Sequence, residues 1–134
     1  MSITWTVSHP ARLIVAVGKD DVTSTDILFC ADEFANAGIN PYRKLFDLTR
    51  ISRTMSQADM QLVGKRMATR AAGQPFGPIA IVVPSVVIAE LIKVFQATSA
   101  AKRPVQIFRD LYTARAWLDE VAPPDQVPPA PDHP

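Results

Sequence analysis

The sequence is poor in several residue types, and each shortage limits the kinds of protein it can specify. Cys30 is the only cysteine among 134 residues, so no disulfide can form within the chain. The two histidines, His9 and His133, lack the spacing of metal ligands. Apolar runs such as residues 79–83 are far shorter than the roughly 20 residues of a membrane span. We therefore expect a globular protein of a reducing compartment, with no metal centre, cofactor or transmembrane segment.

The sequence also lacks an excess of charge of either sign. It contains 14 basic and 13 acidic residues, so the formal net charge is +1. This balance supplies no global field that would attract nucleic acid or an anionic membrane. Residues 1–5 lack the basic start and apolar core of a signal peptide, so we expect a cytoplasmic location. A length of 134 residues suits one domain that buries its core without disulfides or metal.

What the sequence does contain is a repeated order of short apolar runs, each followed by a segment with helical spacing. Such repetition predicts a parallel sheet covered by helices, and the short turn between the first two runs predicts an antiparallel hairpin. We therefore predict an α/β fold with a single mixed, mostly parallel five-stranded sheet and four helices, in the order β-β-α-β-α-β-α-β-α. The predicted elements span residues 3–7, 12–18, 23–37, 43–48, 56–72, 78–84, 85–100, 105–108 and 111–121.

Cap residues support the predicted helix starts. Thr23 with Asp26, and Ser56 with Asp59, have the spacing of a capping box with Asp in place of Glu, while Asp110 suits the N-cap of the last helix. The predicted domain covers residues 1–122. Residues 123–134 are rich in proline and are predicted to be extended or disordered.

Three stretches resemble the STAS and anti-sigma-factor-antagonist-like (SpoIIAA-like) families. Residues 22–26 resemble the opening of the first helix of these families, and residues 45–49 resemble their third strand. Residues 105–108, with the Ala-rich Trp-Leu segment at 114–118, resemble the final strand and helix. The resemblance covers residues 3–121. It implies the fold predicted above and a bacterial binding module of the regulatory or small-ligand type rather than a catalyst.

Ser56 has two interpretations. Regulatory members of these families carry Asp-Ser-Ser-Gly at the start of the second helix, with one serine phosphorylated by a partner kinase. The matching stretch here, residues 55–58, keeps Ser56 and departs at the other three positions, which argues against phosphorylation. Ser56 is either a regulated hydroxyl, where the helix dipole favours a phosphate, or simply an N-cap.

The ends of the predicted parallel strands supply the candidate binding residues, because ligands and partners bind at the carboxyl ends of such strands. These candidates are Asp47, Thr49, Arg50, Ser52, Arg53, Ser56, Ser85 and Arg109. Asp47 has a simpler alternative role, the capping of its own loop by hydrogen bonds to the backbone. Residues 43–70 contain seven basic and two acidic side chains, a local charge of +5. This stretch suits an anionic ligand or an acidic partner, or is a solvated helix face.

The predicted third helix, residues 85–100, is broadly apolar. Its apolar side chains cover an arc of roughly 160°, against about 100° for an ordinary surface helix. Such a helix is either buried between the sheet and its neighbours or part of a homodimer, partner or lipid-facing surface. The residues of this candidate surface are Val87, Ile88, Leu91, Ile92 and Phe95.

Three functions follow from these features. The first is a non-enzymatic regulatory or protein-interaction module. The second is a small-molecule or lipid-binding protein with an apolar pocket bounded by Leu48, Pro84 and Phe108. The third is an enzyme whose site would combine Asp47, Ser52, Arg109 and Asp110, although the sequence suggests no nucleophile–base pair. All three require that Asp47, Pro84 and Phe108 emerge at one rim of the sheet.

Overall fold

Five strands lie side by side in chain order in the computed structural model, which describes residues 2–53, 55–71, 76–99 and 104–130. They are β1 (Ile3–Ser8), β2 (Leu13–Asp21), β3 (Arg43–Arg53), β4 (Ile79–Val82) and β5 (Val105–Phe108). β1 and β2 are antiparallel, and each later neighbour is parallel. The helices within the same residues are α1 (Ser24–Asn36), α2 (Gln57–Ala71), α3 (Val86–Ser99) and α4 (Leu111–Val121). The predicted α/β fold and its element order are confirmed.

Hydrogen bonds from capping side chains fix where the helices begin. The Thr23 hydroxyl accepts from the backbone N–H of Asp26, and the Asp26 carboxylate accepts from the N–H of Thr23, which completes a capping box. Asp110 Oδ1 accepts from the Thr113 N–H at 2.8 Å at the start of α4. Each such bond satisfies one of the N–H groups that the first helical turn leaves without a partner.

The helices cover the two faces of the sheet unequally. On one face, α1, α2 and α3 bury Phe34, Val63 and Phe95 in the larger core. On the other face, α4 buries Ala114 and Leu118 against β3 and β4 in a smaller core. Consecutive residues of a strand point to opposite faces of the sheet, so every strand except β1, the edge strand of the hairpin, contributes to both cores.

β2 and β3 are longer than predicted. Residues 49–53, which lie outside the predicted strands and helices, continue β3, because the end of β2 pairs with them through Lys19–Arg50 and Asp20–Ile51. The pairing contains two register shifts, at each of which β3 carries one residue more than β2. Ile51 is buried between exposed polar neighbours. A single inward apolar residue is too weak a period-two signal to predict a strand from the sequence.

The segment after α4 packs against the domain. Residues Pro124–Gln126 form a short 3₁₀ helix, and Val127 is buried in the larger core. Arg12 Nη1 donates to the Pro124 carbonyl at 3.4 Å, and the Ala130 N–H donates to the Tyr42 hydroxyl at 3.4 Å. The expectation of an extended or disordered tail did not include this docking. Residues 131–134 lie outside the described part of the chain.

Candidate functional site

The carboxyl ends of β3, β4 and β5 form one rim of the sheet. Asp47, Val82 and Phe108 occupy neighbouring register positions across these strands, so the topological requirement stated for the site is met. We call this edge, with the segments that follow each strand, the carboxyl rim. Of the residues proposed from the sequence, Asp47, Ser85 and Arg109 lie where the β3–β4–β5 pairing ends or directly after it. Thr49, Arg50, Ser52 and Arg53 lie on the extension of β3 that pairs with β2, and Ser56 follows that extension. We include this extension in the carboxyl rim.

Asp47 is engaged with its own chain. Its Oδ1 accepts hydrogen bonds from the Thr49 backbone N–H at 3.0 Å and from the Thr49 hydroxyl at 2.6 Å. Thr49 lies where β3 bulges against β2, between the pairings of Asp47 with Val17 and of Arg50 with Lys19. The carboxylate therefore satisfies a backbone donor that the bulge removes from the sheet ladder. This is the local capping role anticipated as the alternative to a binding site.

The two serines of the rim cap helices. Ser56 Oγ accepts from the Asp59 N–H at 3.2 Å, and Ser85 Oγ accepts from the Ile88 N–H at 3.2 Å. These are the N-caps of α2 and α3. Ser56 therefore acts as an N-cap in the structure. Because its hydroxyl oxygen accepts the bond from Asp59, the hydroxyl proton can still be donated to another acceptor.

The arginines of the rim make weak contacts with their surroundings. Arg109 Nη2 donates to the Pro84 carbonyl at 3.1 Å and so ties the β5–α4 loop to the β4–α3 loop. Arg53 Nε lies 3.6 Å from an Asp21 carboxylate oxygen, with both side chains more than half exposed. Arg50 is also exposed. Solvated pairs of this kind contribute about 0–1 kcal/mol and exchange readily for a partner's carboxylate.

The pKa values of Asp110 and Cys30 are both shifted away from neutral pH. Hydrogen bonds from the backbone and hydroxyl of Thr113 lower the pKa of Asp110, which holds this carboxylate as an anion. Burial, together with the nearby Asp26 and Glu33 carboxylates, raises the pKa of the Cys30 thiol to about 12. Within the described residues, no group of three or more His, Cys, Asp or Glu side chains is arranged to hold a metal ion.

Apolar side chains at the starts of α3 and α4 are exposed on the same rim. Val86 and Val87 in the first turn of α3 are 62% and 72% exposed, and Leu111 and Tyr112 in the first turn of α4 are 45% and 85% exposed. The hydrogen bond of Arg109 joins the loops from which both helices start. We call these four side chains the apolar rim patch.

Only one of the four side chains of the apolar rim patch was found by sequence reasoning. Val87 belongs to the predicted surface of the third helix, whereas Ile92 and Phe95 of that surface are 2% and 8% exposed and lie in the core. These two side chains are therefore not part of an exposed surface, and the alternative of burial against the sheet holds for them. The available signal for Leu111 and Tyr112 was their position directly after the Asp110 cap, off the buried stripe of α4.

The basic stretch is less exposed than its sequence indicates. Arg43 and Lys44 are 0% and 2% exposed, so they add nothing to a basic surface. Arg43 Nη1 forms a 2.6 Å ion pair with Asp119 on α4. The exposed basic residues of the rim are therefore Arg50, Arg53 and Arg109.

The predicted pocket between Leu48, Pro84 and Phe108 is wrong. Phe108 packs on Trp117 of α4, with ring centroids 5.7 Å apart, in the smaller core. Leu48 belongs to the opposite face, where it lines an apolar cavity of about 60 Å³ beneath α2 and α3. Asp47 is in register with Val82 and Phe108, and Leu48 is the next residue of its strand. Because consecutive residues of a strand point to opposite faces, the sheet separates the side chains of Leu48 and Phe108.

None of the helices over the described residues combines the length and the apolar content needed to cross a bilayer. Comparison with protein-family models, curated proteins and solved structures finds no match to this chain. The resemblance to the STAS and SpoIIAA-like families therefore stays a prediction.

Proposed function

We propose that this protein is a non-enzymatic interaction module of the regulatory, STAS-like type, which binds a partner protein through the carboxyl rim. The observation that carries the proposal is the exposure of Val86, Val87 and Tyr112 at 62%, 72% and 85% on one edge of the sheet. The same proposal assigns the protein to the cytoplasm, where a lone thiol such as Cys30 stays reduced.

The composition of the rim suits a protein surface. Protein interfaces are enriched in tyrosine and arginine, and residues of these types carry much of the binding energy. Tyr112 and Arg109 stand at the start of α4, and Arg109 donates to the Pro84 carbonyl, two residues before the first of the two valines of α3. Covering exposed apolar side chains contributes roughly 25 cal/mol for each Å² removed from water.

Charge indicates the chemistry of the partner. Arg50, Arg53 and Arg109 are exposed along the rim, and the contacts of Arg53 and Arg109 are weak enough to exchange. A partner with acidic side chains around an apolar centre would match this arrangement. Such charge pairs raise the association rate, and that rate falls as ionic strength rises.

The polar groups of the rim support binding rather than catalysis. Asp47, Ser56, Ser85 and Asp110 all accept hydrogen bonds from their own loops or helix starts. An enzyme site needs a base within hydrogen-bond reach of its nucleophile and an open position beside them. Ser85 and Asp110 instead hold the helix starts that present the apolar rim patch, and Asp47 and Ser56 hold the bulge of β3 and the start of α2.

The test compares partner capture by three forms of the full chain: wild type, Val87→Ser/Tyr112→Ser, and Leu62→Ser as a matched control. Leu62 is 44% exposed on α2 and outside the apolar rim patch. We expect at least one protein that the wild type and the control retain and the double variant loses. The dissociation constant of that purified protein should rise about tenfold or more in the double variant, as for loss of an interface hot spot.

Arg50→Ala/Arg53→Ala tests the charge component with the same purified partner. We expect weaker binding and a dissociation constant that depends less steeply on salt concentration, with an unchanged circular dichroism spectrum.

Sedimentation equilibrium shows whether the partner is a second copy of this chain, in which case the wild type is a dimer and Val87→Ser/Tyr112→Ser a monomer. Equal retention of every captured protein by all of these variants would exclude the carboxyl rim as the binding surface.

A further inference from the structure

β1 is an edge strand of the sheet, because β2 is its only neighbour within the described residues. It spans Ile3–Ser8 and contains no charged residue and no proline, and its pairing with β2 has no bulge. Proteins usually protect an exposed edge with one of these features, because the unpaired backbone groups of the edge can pair with another strand. β1 therefore has the features of a strand that accepts a further strand.

The backbone groups that β1 leaves unpaired belong to alternate residues. The Lys19 N–H donates to the Ser2 carbonyl at 2.8 Å, and the register of β1 with β2 places these two residues opposite each other. In an antiparallel ladder, hydrogen-bonded pairs alternate with pairs that are not hydrogen-bonded. The even-numbered residues of β1 therefore direct their N–H and C=O groups towards β2, whereas Trp5 and Val7 direct theirs towards the open edge.

The opposite edge of the sheet is protected. β5 has only four residues, and the side-chain amide of Gln96 in α3 donates to the Val105 carbonyl of this strand at 2.6 Å. At β1, by contrast, no loop or side chain of the described residues forms a hydrogen bond with the outward backbone groups of Trp5 or Val7. The open edge of the sheet is therefore the β1 side.

The side chains beside this edge are uncharged and partly exposed. Trp5 and Val7 are half-buried on the face that carries the larger core. Phe29 of α1 is 42% exposed, and its ring centroid lies 6.3 Å from that of Trp5. Thr4 and Thr6 are exposed on the other face. An added strand would cover apolar side chains on one face and meet threonines on the other, and residues of both kinds favour β-structure.

We propose that β1 pairs in antiparallel orientation with β1 of a second copy of this chain, so that the two sheets join into one continuous sheet. A two-fold axis relates the copies, and each supplies the same uncharged edge, so no like charges meet between the paired strands. This interface uses none of the residues of the carboxyl rim, and it does not depend on the partner protein proposed above.

The burial of Ile3 selects the register of this pairing. Ile3 is 1% exposed, so an added strand does not reach its backbone, and the pairing has to use Trp5 and Val7. When Trp5 of each copy is opposite Val7 of the other, both residues exchange hydrogen bonds, and the two copies of Thr6 face each other at the two-fold axis. Cross-strand pairs of an aromatic with a β-branched residue, and of two threonines, are both favourable. β1 is therefore complementary to itself, which favours a second copy over a strand of another protein.

The size of the interface predicts a weak dimer. β1 has six residues, and one pair of such strands covers less than the roughly 1,200 Å² at which interfaces of standard size begin. Interfaces below that size are typical of transient complexes. We therefore expect a dissociation constant of about 10–100 µM, so that the protein is monomeric when dilute and dimeric when concentrated.

Thr6→Cys tests both the pairing and its register. The Cα atoms of a directly opposed pair that is not hydrogen-bonded lie about 4.5 Å apart, which a disulfide can bridge. Thr4→Cys is the matched control, because its two copies would lie about 14 Å apart along the strands. With oxidised glutathione, we expect Thr6→Cys to form a covalent dimer at least about ten times faster than Thr4→Cys on non-reducing gels. Cys30 is 1% exposed and common to both variants, so it does not affect the comparison.

Amide hydrogen exchange of the wild type, followed by NMR, is a second test that needs no substitution. In the dimer, the Trp5 and Val7 amides are bonded to the second copy, whereas the Thr4 and Thr6 amides are bonded to β2 in either state. We expect exchange at Trp5 and Val7 to slow about fivefold when the protein concentration rises from about 20 µM to about 1 mM. Exchange at Thr4 and Thr6 should stay unchanged.

Sedimentation equilibrium separates this interface from a dimer formed at the carboxyl rim. Thr6→Lys places like charges opposite each other at the two-fold axis, so the dissociation constant of the dimer should rise about tenfold or more. Thr69→Lys changes an exposed threonine of α2 and is the matched control. This control and Val87→Ser/Tyr112→Ser should both dimerise as the wild type does.

Three results would overturn the proposal. The first is a wild type that stays monomeric up to about 1 mM, which would leave β1 open to a strand of another protein. The second is crosslinking of Thr6→Cys and Thr4→Cys at equal rates. The third is a dimer that persists in Thr6→Lys or that is lost in Val87→Ser/Tyr112→Ser.

Discussion

Removal of the Asp119 carboxylate should destabilise the protein through the buried charge it leaves behind. Arg43 is 0% exposed, and its guanidinium is held by two contacts, a 2.6 Å ion pair with Asp119 and a 2.9 Å hydrogen bond from Nη2 to the Ala11 carbonyl. Its Nε has no hydrogen-bond partner among the described residues. In Asp119→Ala, a buried cation keeps only the neutral carbonyl.

The magnitude follows from the burial of the two partners. Removing one partner of a fully buried ion pair costs about 3–5 kcal/mol. The Asp119 side chain is 52% exposed, so water can partly replace its carboxylate beside Arg43. We therefore expect the free energy of unfolding to fall by about 2–3 kcal/mol. Urea denaturation followed by circular dichroism at pH 7 measures this loss, with an unchanged m-value.

Two controls isolate the buried charge. Glu120→Ala removes the neighbouring exposed carboxylate of α4 and should change the stability by less than about 0.5 kcal/mol. Arg43→Met removes the cation itself, and the double variant Arg43→Met/Asp119→Ala should be more stable than Asp119→Ala alone. A loss below about 1 kcal/mol in Asp119→Ala, or no recovery in the double variant, would refute the reasoning.

Three further predictions address single groups. The hydrogen bond from Arg43 holds the pKa of Asp119 below its usual range, so its stabilisation is complete above about pH 5 and is lost as pH falls through the lowered pKa. The stability difference between wild type and Asp119→Ala should therefore narrow in urea titrations below about pH 4, and a constant difference would contradict this. Cys30, with its pKa raised to about 12, should react with Ellman's reagent only after unfolding, and rapid labelling of the native protein would show otherwise. Gly77→Ala would bring a Cβ to 2.2 Å from the Tyr42 carbonyl oxygen, so we expect a loss of about 3 kcal/mol or more in urea denaturation, and wild-type stability would disprove the close approach.

Sequence reasoning succeeded for features whose causes are local. The order of strands and helices follows from hydrophobic periods of two and 3.6, which each segment carries within itself. The start of α1 follows from the capping box of Thr23 and Asp26, three residues apart. The common rim of β3, β4 and β5 follows from the parallel order of the strand–helix units.

Sequence reasoning failed where a partner distant in the chain decides the outcome. Residues 49–53 form a strand because the end of β2 offers them hydrogen bonds. Lys44 is buried where its Nζ donates to the carbonyls of Asn40 and Tyr42. The tail docks where Arg12 Nη1 donates to the Pro124 carbonyl and the Ala130 N–H donates to the Tyr42 hydroxyl. In each segment, the local sequence is polar or Pro-rich and indicates exposure.

The sequence by itself determined the kind of layer this protein builds and the edge at which its loops meet, because periodicity and capping act over a few neighbouring residues. The tertiary structure alone decided which charges are buried and which apolar side chains remain exposed. These properties depend on how separate helices pack across one sheet, and that packing depends on side-chain shapes far apart in the chain.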